Sequence, residues 1–147
     1  MAGKCIFCAK QGADLICENG LAKAFYDKFP VNKGHVLIVP KRHVADFFGA
    51  TPGEMAAIND LISRVKAILD ERFHPDGYNI GVNVGAAAGQ TIFHLHLHVI
   101  PRYRGDVPDP RGGIRRIKKS LVPYADEGES IDEDLQQAGS GSDPGNH

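Results

Sequence analysis

Three histidines, His94, His96 and His98, alternate with Leu95, Leu97 and Val99 and lead into Ile100-Pro101. Alternate side chains on a β-strand share a face. As a strand, the run therefore aligns three imidazoles on one side and buries three aliphatic residues on the other. Successive imidazoles would lie about 6.5–7 Å apart, a spacing suited to a phosphate-sized ligand. A helix would scatter them. Three imidazoles are poor core residues, because each loses hydration on burial and needs partners for both ring nitrogens. Two chemistries are open. The row can bind a metal, or a neutral imidazole can attack phosphorus and form a phosphoramidate that water later resolves. In the second case His96, mid-row, is the better-placed nucleophile. His98 can donate to a phosphate oxygen or assist the leaving group, and His35 can add a fourth imidazole from a neighbouring strand.

Cys5 and Cys8 form a C-x-x-C pair near the start of the chain, and Cys17 lies in the apolar stretch Leu15-Ile16-Cys17. Three cysteines do not suggest a disulfide framework, and Cys17 reads as a small buried residue. A redox C-x-x-C expects a βαβ context, whereas Cys5 precedes every expected element. A structural zinc site needs two more ligands to close a tetrahedron. His43 and His94 are candidates, giving a Cys5, Cys8, His43, His94 set. Spacing alone leaves the choice open.

A phosphate ligand also needs donors. Gly85 to Gly89 can turn backbone N–H groups inward as an anion-binding nest. Gln90 and Thr91 bring side-chain donors near the histidines, and Asn83 does so from the preceding strand. Asp27 can accept from the two hydroxyls of a ribose or simply form a turn.

The elements that must hold these groups are legible. Asn19-Gly20 is a hairpin turn signal between residues 14–18 and 21–26. Val36-Leu37-Ile38-Val39 reads as a buried strand ended by Pro40. Thr51-Pro52-Gly53-Glu54 combines an N-cap, a first-turn proline and a capping-box acid. Met55, Ile58, Leu61, Ile62, Val65, Ile68, Leu69 and Phe73 then recur every three or four residues, as in an amphipathic helix of about 20 residues. His74-Pro75-Asp76-Gly77 stops it. Tyr78 to Val84 is another strand, followed by the histidine strand. The pattern is α+β: a mainly antiparallel sheet of about five strands, one long helix on one face and the other face open to ligand.

The chain has 147 residues, enough for one domain with a real core. All 17 Lys and Arg precede Asp126 and face 11 acids there, a surplus of six, whereas seven acids follow with no cation. The expected division is a domain over residues 1–125 and an acidic, disordered tail over 126–147. The basic run Arg115, Arg116, Lys118 and Lys119 reads as a solvated or phosphate-facing patch, not a nucleic-acid site. No apolar run reaches the roughly 20 residues of a membrane span. Met1-Ala2-Gly3-Lys4-Cys5 has no apolar signal region, so the expected location is cytoplasmic.

Gly89-Gln90-Thr91-Ile92-Phe93-His94-Leu95-His96-Leu97-His98-Val99-Ile100-Pro101 resembles the signature of the histidine triad family of nucleotidyl hydrolases and transferases. Gly34-His35-Val36-Leu37-Ile38-Val39-Pro40-Lys41-Arg42-His43 resembles its upstream strand motif, and the position of Asn83 also matches. The resemblance covers about residues 4–104. It implies an HIT-like fold that pairs into a homodimer through a continuous sheet. It also implies attack by His96 on a nucleotide α-phosphorus, supported by His35 and His98. Asn83, Gly89, Gln90 and Thr91 would lie near the phosphates and Asp27 at the ribose. It further implies a structural zinc on Cys5, Cys8, His43 and His94 that takes no part in the chemistry, although a divalent cation can accompany a polyphosphate substrate. The Gly-Gln-Thr lead and Arg102 resemble the branch that cleaves dinucleoside polyphosphates more than the branch that cleaves phosphoramidates. Residues 105–147 lie outside the shared pattern. The implied partners are a small nucleotide and a second copy of the chain, with neither nucleic acid nor membrane.

Overall fold

A computed structural model describes residues 5–118. Two compact units divide the chain, Met1–Arg104 and Gly105–His147. The expected domain end at residue 125, Lys119 and the acidic tail all lie outside the described residues.

The first unit is α+β. Strands β1 (Cys17–Glu18), β2 (Ala22–Tyr26), β3 (Val36–Pro40), β4 (Gly77–Gly81) and β5 (Leu97–Arg102) form one sheet in the order β1-β2-β3-β5-β4. Every neighbouring pair is antiparallel. The Asn19-Gly20 turn joins β1 to β2 as expected; the Asn19 side chain accepts from the N–H groups of Leu21 and Ala22 at 3.2 and 2.9 Å.

Helix α1 (Pro52–Phe73) starts where its capping residues predict. The Thr51 hydroxyl accepts from Glu54 N–H at 3.0 Å, and the Glu54 carboxylate accepts from Thr51 N–H at 2.9 Å. Arg42 donates twice to the same carboxylate, at 2.8 and 2.9 Å, tying the helix start to the segment that carries His43. These donors hold the Glu54 carboxyl down at about 2. His74, left-handed at φ 51°, ends the helix.

Ile58, Leu61, Val65 and Leu69 pack against Ala22, Ala24, Val36, Ile38, Leu97 and Val99 on one sheet face. Burying each large aliphatic side chain contributes about 1.5–3 kcal/mol. On the opposite face Phe25, Leu37 and Val39 form a smaller cluster with Phe7. The face away from the helix is therefore partly roofed by the N-terminal C-x-x-C segment. Cys17 is half-buried against the helix-side core.

Three elements are shorter than the sequence pattern suggests. β1 spans only Cys17–Glu18 of residues 14–18, and Asp14 closes a 3-10 turn. β4 ends at Gly81 rather than Val84. β5 starts at Leu97, so His94 and His96 precede the regular ladder. The β3–β5 pairing stops at Ile38↔Leu97 because Pro40 has no N–H to donate. The Pro40 carbonyl instead accepts from a ring N–H of His94 at 2.8 Å, and the His94 carbonyl from a ring N–H of His96 at 2.8 Å. Imidazoles take the backbone acceptors that would have extended the sheet. The alternation survives: Leu95, Leu97 and Val99 still enter the helix-side core. No helix among the described residues is long and apolar enough to cross a membrane.

In the second unit, a single turn of 3-10 helix spans Gly113–Arg116. Arg111 pairs with Asp109 at 3.2 Å, and Arg116 donates to the Asp109 carbonyl at 2.5 Å. Arg115, Arg116 and Lys118 are exposed.

Candidate active site and metal cluster

The histidines separate into two groups along the open sheet face. At one end, Cys5, Cys8, His43 and His94 bring one ligand atom each within 4.8 Å of the others. Cys5 Sγ lies 3.4 Å from His94 Nδ1, and Cys8 Sγ lies 3.2 Å from His43 Nδ1 and 3.5 Å from His94 Nδ1. A tetrahedral zinc, with bonds of about 2.3 Å to sulfur and 2.0–2.1 Å to nitrogen, has sulfur–nitrogen edges of about 3.6 Å. The spacing fits. The tautomer fits as well: His94 donates its Nε2–H to the Pro40 carbonyl, which leaves the Nδ1 lone pair facing the sulfurs. His94 is fully buried, and that burial lowers its pKa and favours the neutral, ligating form. Burial and the adjacent Cys5 push the Cys8 thiol up, an opposition to thiolate formation that a bound cation removes.

At the other end, Asp27, His35 and His98 also converge within 4.8 Å. Register places them together. Tyr26↔Val36 is the last β2–β3 pair, and Asp27 N–H still donates to the His35 carbonyl at 2.9 Å. Gly34 turns the chain into β3 at φ 86°; a β-carbon there would meet the Phe73 ring at 2.9 Å. His35, 2% exposed, accepts from Val31 N–H at Nδ1, 2.9 Å. Its own proton is therefore on Nε2. That Nε2 lies 3.0 Å from His98 Nδ1 and 3.3 Å from Asp27 Oδ2. His98 thus accepts at Nδ1 and carries its proton on Nε2. Burial is the main cause that pushes His98 down to about 4, with the neighbouring His96 and His35 adding to it. Burial likewise lowers His35, against the opposing charge of Asp27.

His96 stands between the groups. Its Nδ1–H donates to the His94 carbonyl at 2.8 Å, so its Nε2 is left with a lone pair. Its ring centroid is 5.2 Å from that of His98 and 5.0 Å from that of Phe7. A neutral imidazole fixed at one nitrogen and basic at the other is suited to attack an electrophile.

The loop residues depart from the sequence reading. Gln90 was expected to offer its side chain to phosphate. Instead it is buried at 3% exposure, donates to the carbonyls of Ala45 and Ile92 at 2.8 and 3.1 Å, and accepts from Gly85 N–H at 2.9 Å. Its amide satisfies the backbone of two segments and braces the loop. The expected nest at Gly85 to Gly89 is altered for the same reason. Ala86–Ala88 forms a turn of 3-10 helix, with Ala88 and Gln90 N–H donating to the Gly85 carbonyl and Gly89 N–H to that of Ala86. Gly89, at φ 100°, closes the turn beside the Asn83 amide. Asn83 and Thr91 are exposed at its edge. Asp27 satisfies its turn reading, since Oδ1 accepts from Phe29 N–H at 2.8 Å, and its other oxygen faces His35.

Two residues that shape the site were not singled out from sequence. Phe7 packs on both His94 and His96. Lys23, 6% exposed, donates to the carbonyls of Cys8 and Lys10 at 3.3 and 2.8 Å. An aromatic inside C-x-x-C and a lysine at an inward strand position were the available signals.

A HIT domain model matches residues 9–105. The chain belongs to the HIT domain family. It is 43% identical to an uncharacterized HIT-like protein of Mycoplasma genitalium over 103 residues, covering 67% of this chain and 73% of that protein. A crystal structure of a zinc-bound histidine triad family protein from Mycobacterium smegmatis superposes with a TM-score of 0.65 at 36% identity, covering 74% of this chain and 86% of that one. An asymmetrical bis(5'-nucleosyl)-tetraphosphatase of Schizosaccharomyces pombe is 34% identical over 95 residues, covering 65% of this chain and 52% of that protein.

Proposed function

We propose that this chain is a nucleotidyl hydrolase that cleaves dinucleoside polyphosphates through a covalent intermediate on His96. The observation that carries the reading is the orientation of that ring, with Nδ1–H on the His94 carbonyl and Nε2 left basic. The Nε2 lone pair attacks the α-phosphorus, a P–N bond forms, and the bond from phosphorus to the bridging oxygen breaks. The electron pair leaves with the departing nucleoside polyphosphate. Water then attacks the same phosphorus, the P–N bond breaks, and the ring is released neutral.

His98 is held neutral in ordinary buffers by its depressed pKa, so it acts as an Nε2–H donor to a phosphate or leaving oxygen, not as a fixed cation. His35 sets that tautomer by donating to His98 Nδ1, and Val31 N–H sets the tautomer of His35. Asn83 and Thr91 sit at the exposed edge where the phosphates would lie, and Asp27 would meet the ribose with whatever hydrogen-bonding capacity its carboxylate retains. Zinc on Cys5, Cys8, His43 and His94 would supply structural cross-linking of the N-terminal segment. The zinc-bound relative and the donor set support it. The polyphosphate preference draws support from the tetraphosphatase relative and from the Gly-Gln-Thr lead. A homodimer would continue the sheet at β4, the longer of its two edge strands.

The decisive experiment is adduct trapping. Rapid quench into alkaline denaturant, where a P–N bond survives, with a labelled diadenosine polyphosphate should give a labelled peptide containing His96, and His96→Asn should give none while still binding AMP. Normal turnover by His96→Asn refutes the reading. A kcat/KM for an AMP phosphoramidate above that for diadenosine polyphosphates would move the chain to the other branch.

A further inference from the structure

Phe7 lies between the two cysteines of C-x-x-C and is 5% exposed. Its ring stands edge-on to His96 at 5.0 Å and to His94 at 6.0 Å, and tilts against Phe25 at 5.5 Å. Aromatic pairs at these separations and angles hold a preferred geometry. The residue that walls the His96 ring is therefore carried by a turn whose two ends are cysteine ligands. A second path starts from the same cluster. His94 is gripped at both ring nitrogens, by the Pro40 carbonyl and by the sulfurs, and its carbonyl receives the His96 Nδ1–H. Both paths end on one imidazole.

We infer that Phe7 is a positioning residue for His96 and that the Cys5–Cys8–His43–His94 cluster, acting through Phe7 and the His94 carbonyl, couples zinc occupancy to nucleotide binding. This rests on the reading of His96 as the acceptor of the nucleotidyl group. Binding free energies are reciprocal. If zinc holds the ring in the arrangement a nucleotide prefers, a nucleotide must tighten zinc by the same factor. Lys23 limits the size of the effect, because its two bonds to the Cys8 and Lys10 carbonyls keep the turn seated without a metal. The coupling should be about five- to tenfold, at the lower end of the usual range.

The test measures zinc affinity by chelator competition at fixed pH, on the full chain, with and without saturating AMP. Tightening by about five- to tenfold is expected. In Phe7→Leu, zinc affinity without AMP should stay within about twofold of wild type, and the AMP effect should fall to about two- to threefold, the part carried by the His94 carbonyl. His96 ring protons should lose the shift imposed by the Phe7 ring current in NMR spectra, and kcat should fall more than KM rises. Zinc affinity unchanged when AMP is bound overturns the coupling but leaves the His96 reading standing, since adduct trapping tests that separately. Full coupling retained in Phe7→Leu overturns Phe7 as the carrier. If Phe7→Leu fails to fold, the wild-type measurement alone decides. Failure of AMP to bind at all overturns the coupling together with the nucleotide reading.

Discussion

The two clusters on the open sheet face draw on similar side chains and behave oppositely. Each gathers its ligand atoms within 4.8 Å, and each contains two histidines. In the cysteine cluster, a carbonyl acceptor at His94 Nε2 leaves Nδ1 unprotonated toward the sulfurs. In the Asp27–His35–His98 cluster, a backbone donor at His35 Nδ1 forces the proton onto Nε2, which then faces His98 and Asp27. A cation would have to displace that proton and leave Val31 N–H facing another N–H. The first cluster turns lone pairs toward its centre, as a metal site requires, and the second turns a ring N–H inward, as a hydrogen-bond relay requires. The partner of the far ring nitrogen decides which, more than the list of ligand types.

The largest expected contrast is between chemistry and metal. His96→Asn should lower turnover on the order of 10⁴-fold or more and keep its zinc. Cys5→Ser with Cys8→Ser should lose the zinc and lower Tm by about 10 °C, equivalent to about 2 kcal/mol for a domain of this size, with turnover of the folded fraction reduced only about tenfold or less. Metal analysis beside single-turnover kinetics checks both, and two zinc ions per wild-type chain would break the contrast.

Acidification addresses the relay. His98 has a folded pKa of about 4 against about 6.5 for an unperturbed histidine. The unfolded chain therefore binds a proton that the folded chain refuses between those values. Stability should be full above pH 6.5 and fall by about 1.4 kcal/mol per pH unit toward pH 4. Urea titrations over that range check the slope, which should become shallower in His98→Asn, with the remainder carried by His35 and His94.

Gln90→Ala removes the brace between the Gly85 loop and the Ala45 and Ile92 carbonyls. It should cost about 1–3 kcal/mol and raise KM more than it lowers kcat. Unchanged denaturation with weakened nucleotide binding would return Gln90 to direct phosphate contact. The smallest effect is expected at the helix start, which reaches the cysteine cluster only through Glu54 and Arg42 beside His43: Thr51→Ala should cost about 1 kcal/mol and leave turnover and zinc content unchanged.

Legibility followed the range of the interactions. The capping box at Thr51 and Glu54, the Asn19-Gly20 turn and the stop at His74 depend on residues within a few positions, and each stands where its local pattern requires. Ligand chemistry named Cys5, Cys8, His43 and His94 as one candidate set but left the choice open, and the family resemblance favoured it; the four converge in the fold. Gln90 looked available to ligand because it is a polar side chain beside a glycine loop, whereas in the fold its amide is engaged by protein backbone. Its true partners, Ala45 and Ile92, become visible only when two loops meet. Phe7 went unread because its neighbours, His94 and His96, are nearly ninety residues away.

The amino-acid order by itself determined the alternation that separates three imidazoles from three aliphatic residues, the helix and its ends, and the inventory of ligands. Those follow from backbone periodicity and local hydrogen bonding. The tertiary structure alone decided which nitrogen carries the proton in His94 and in His98. For these two the choice is made by a group brought in from another segment, the Pro40 carbonyl for His94 and the His35 ring for His98, whereas His35 and His96 are set from four and two residues away, by Val31 N–H and the His94 carbonyl. A ring nitrogen can bind a metal, donate a proton or attack phosphorus, and only the group placed against its opposite side selects among them.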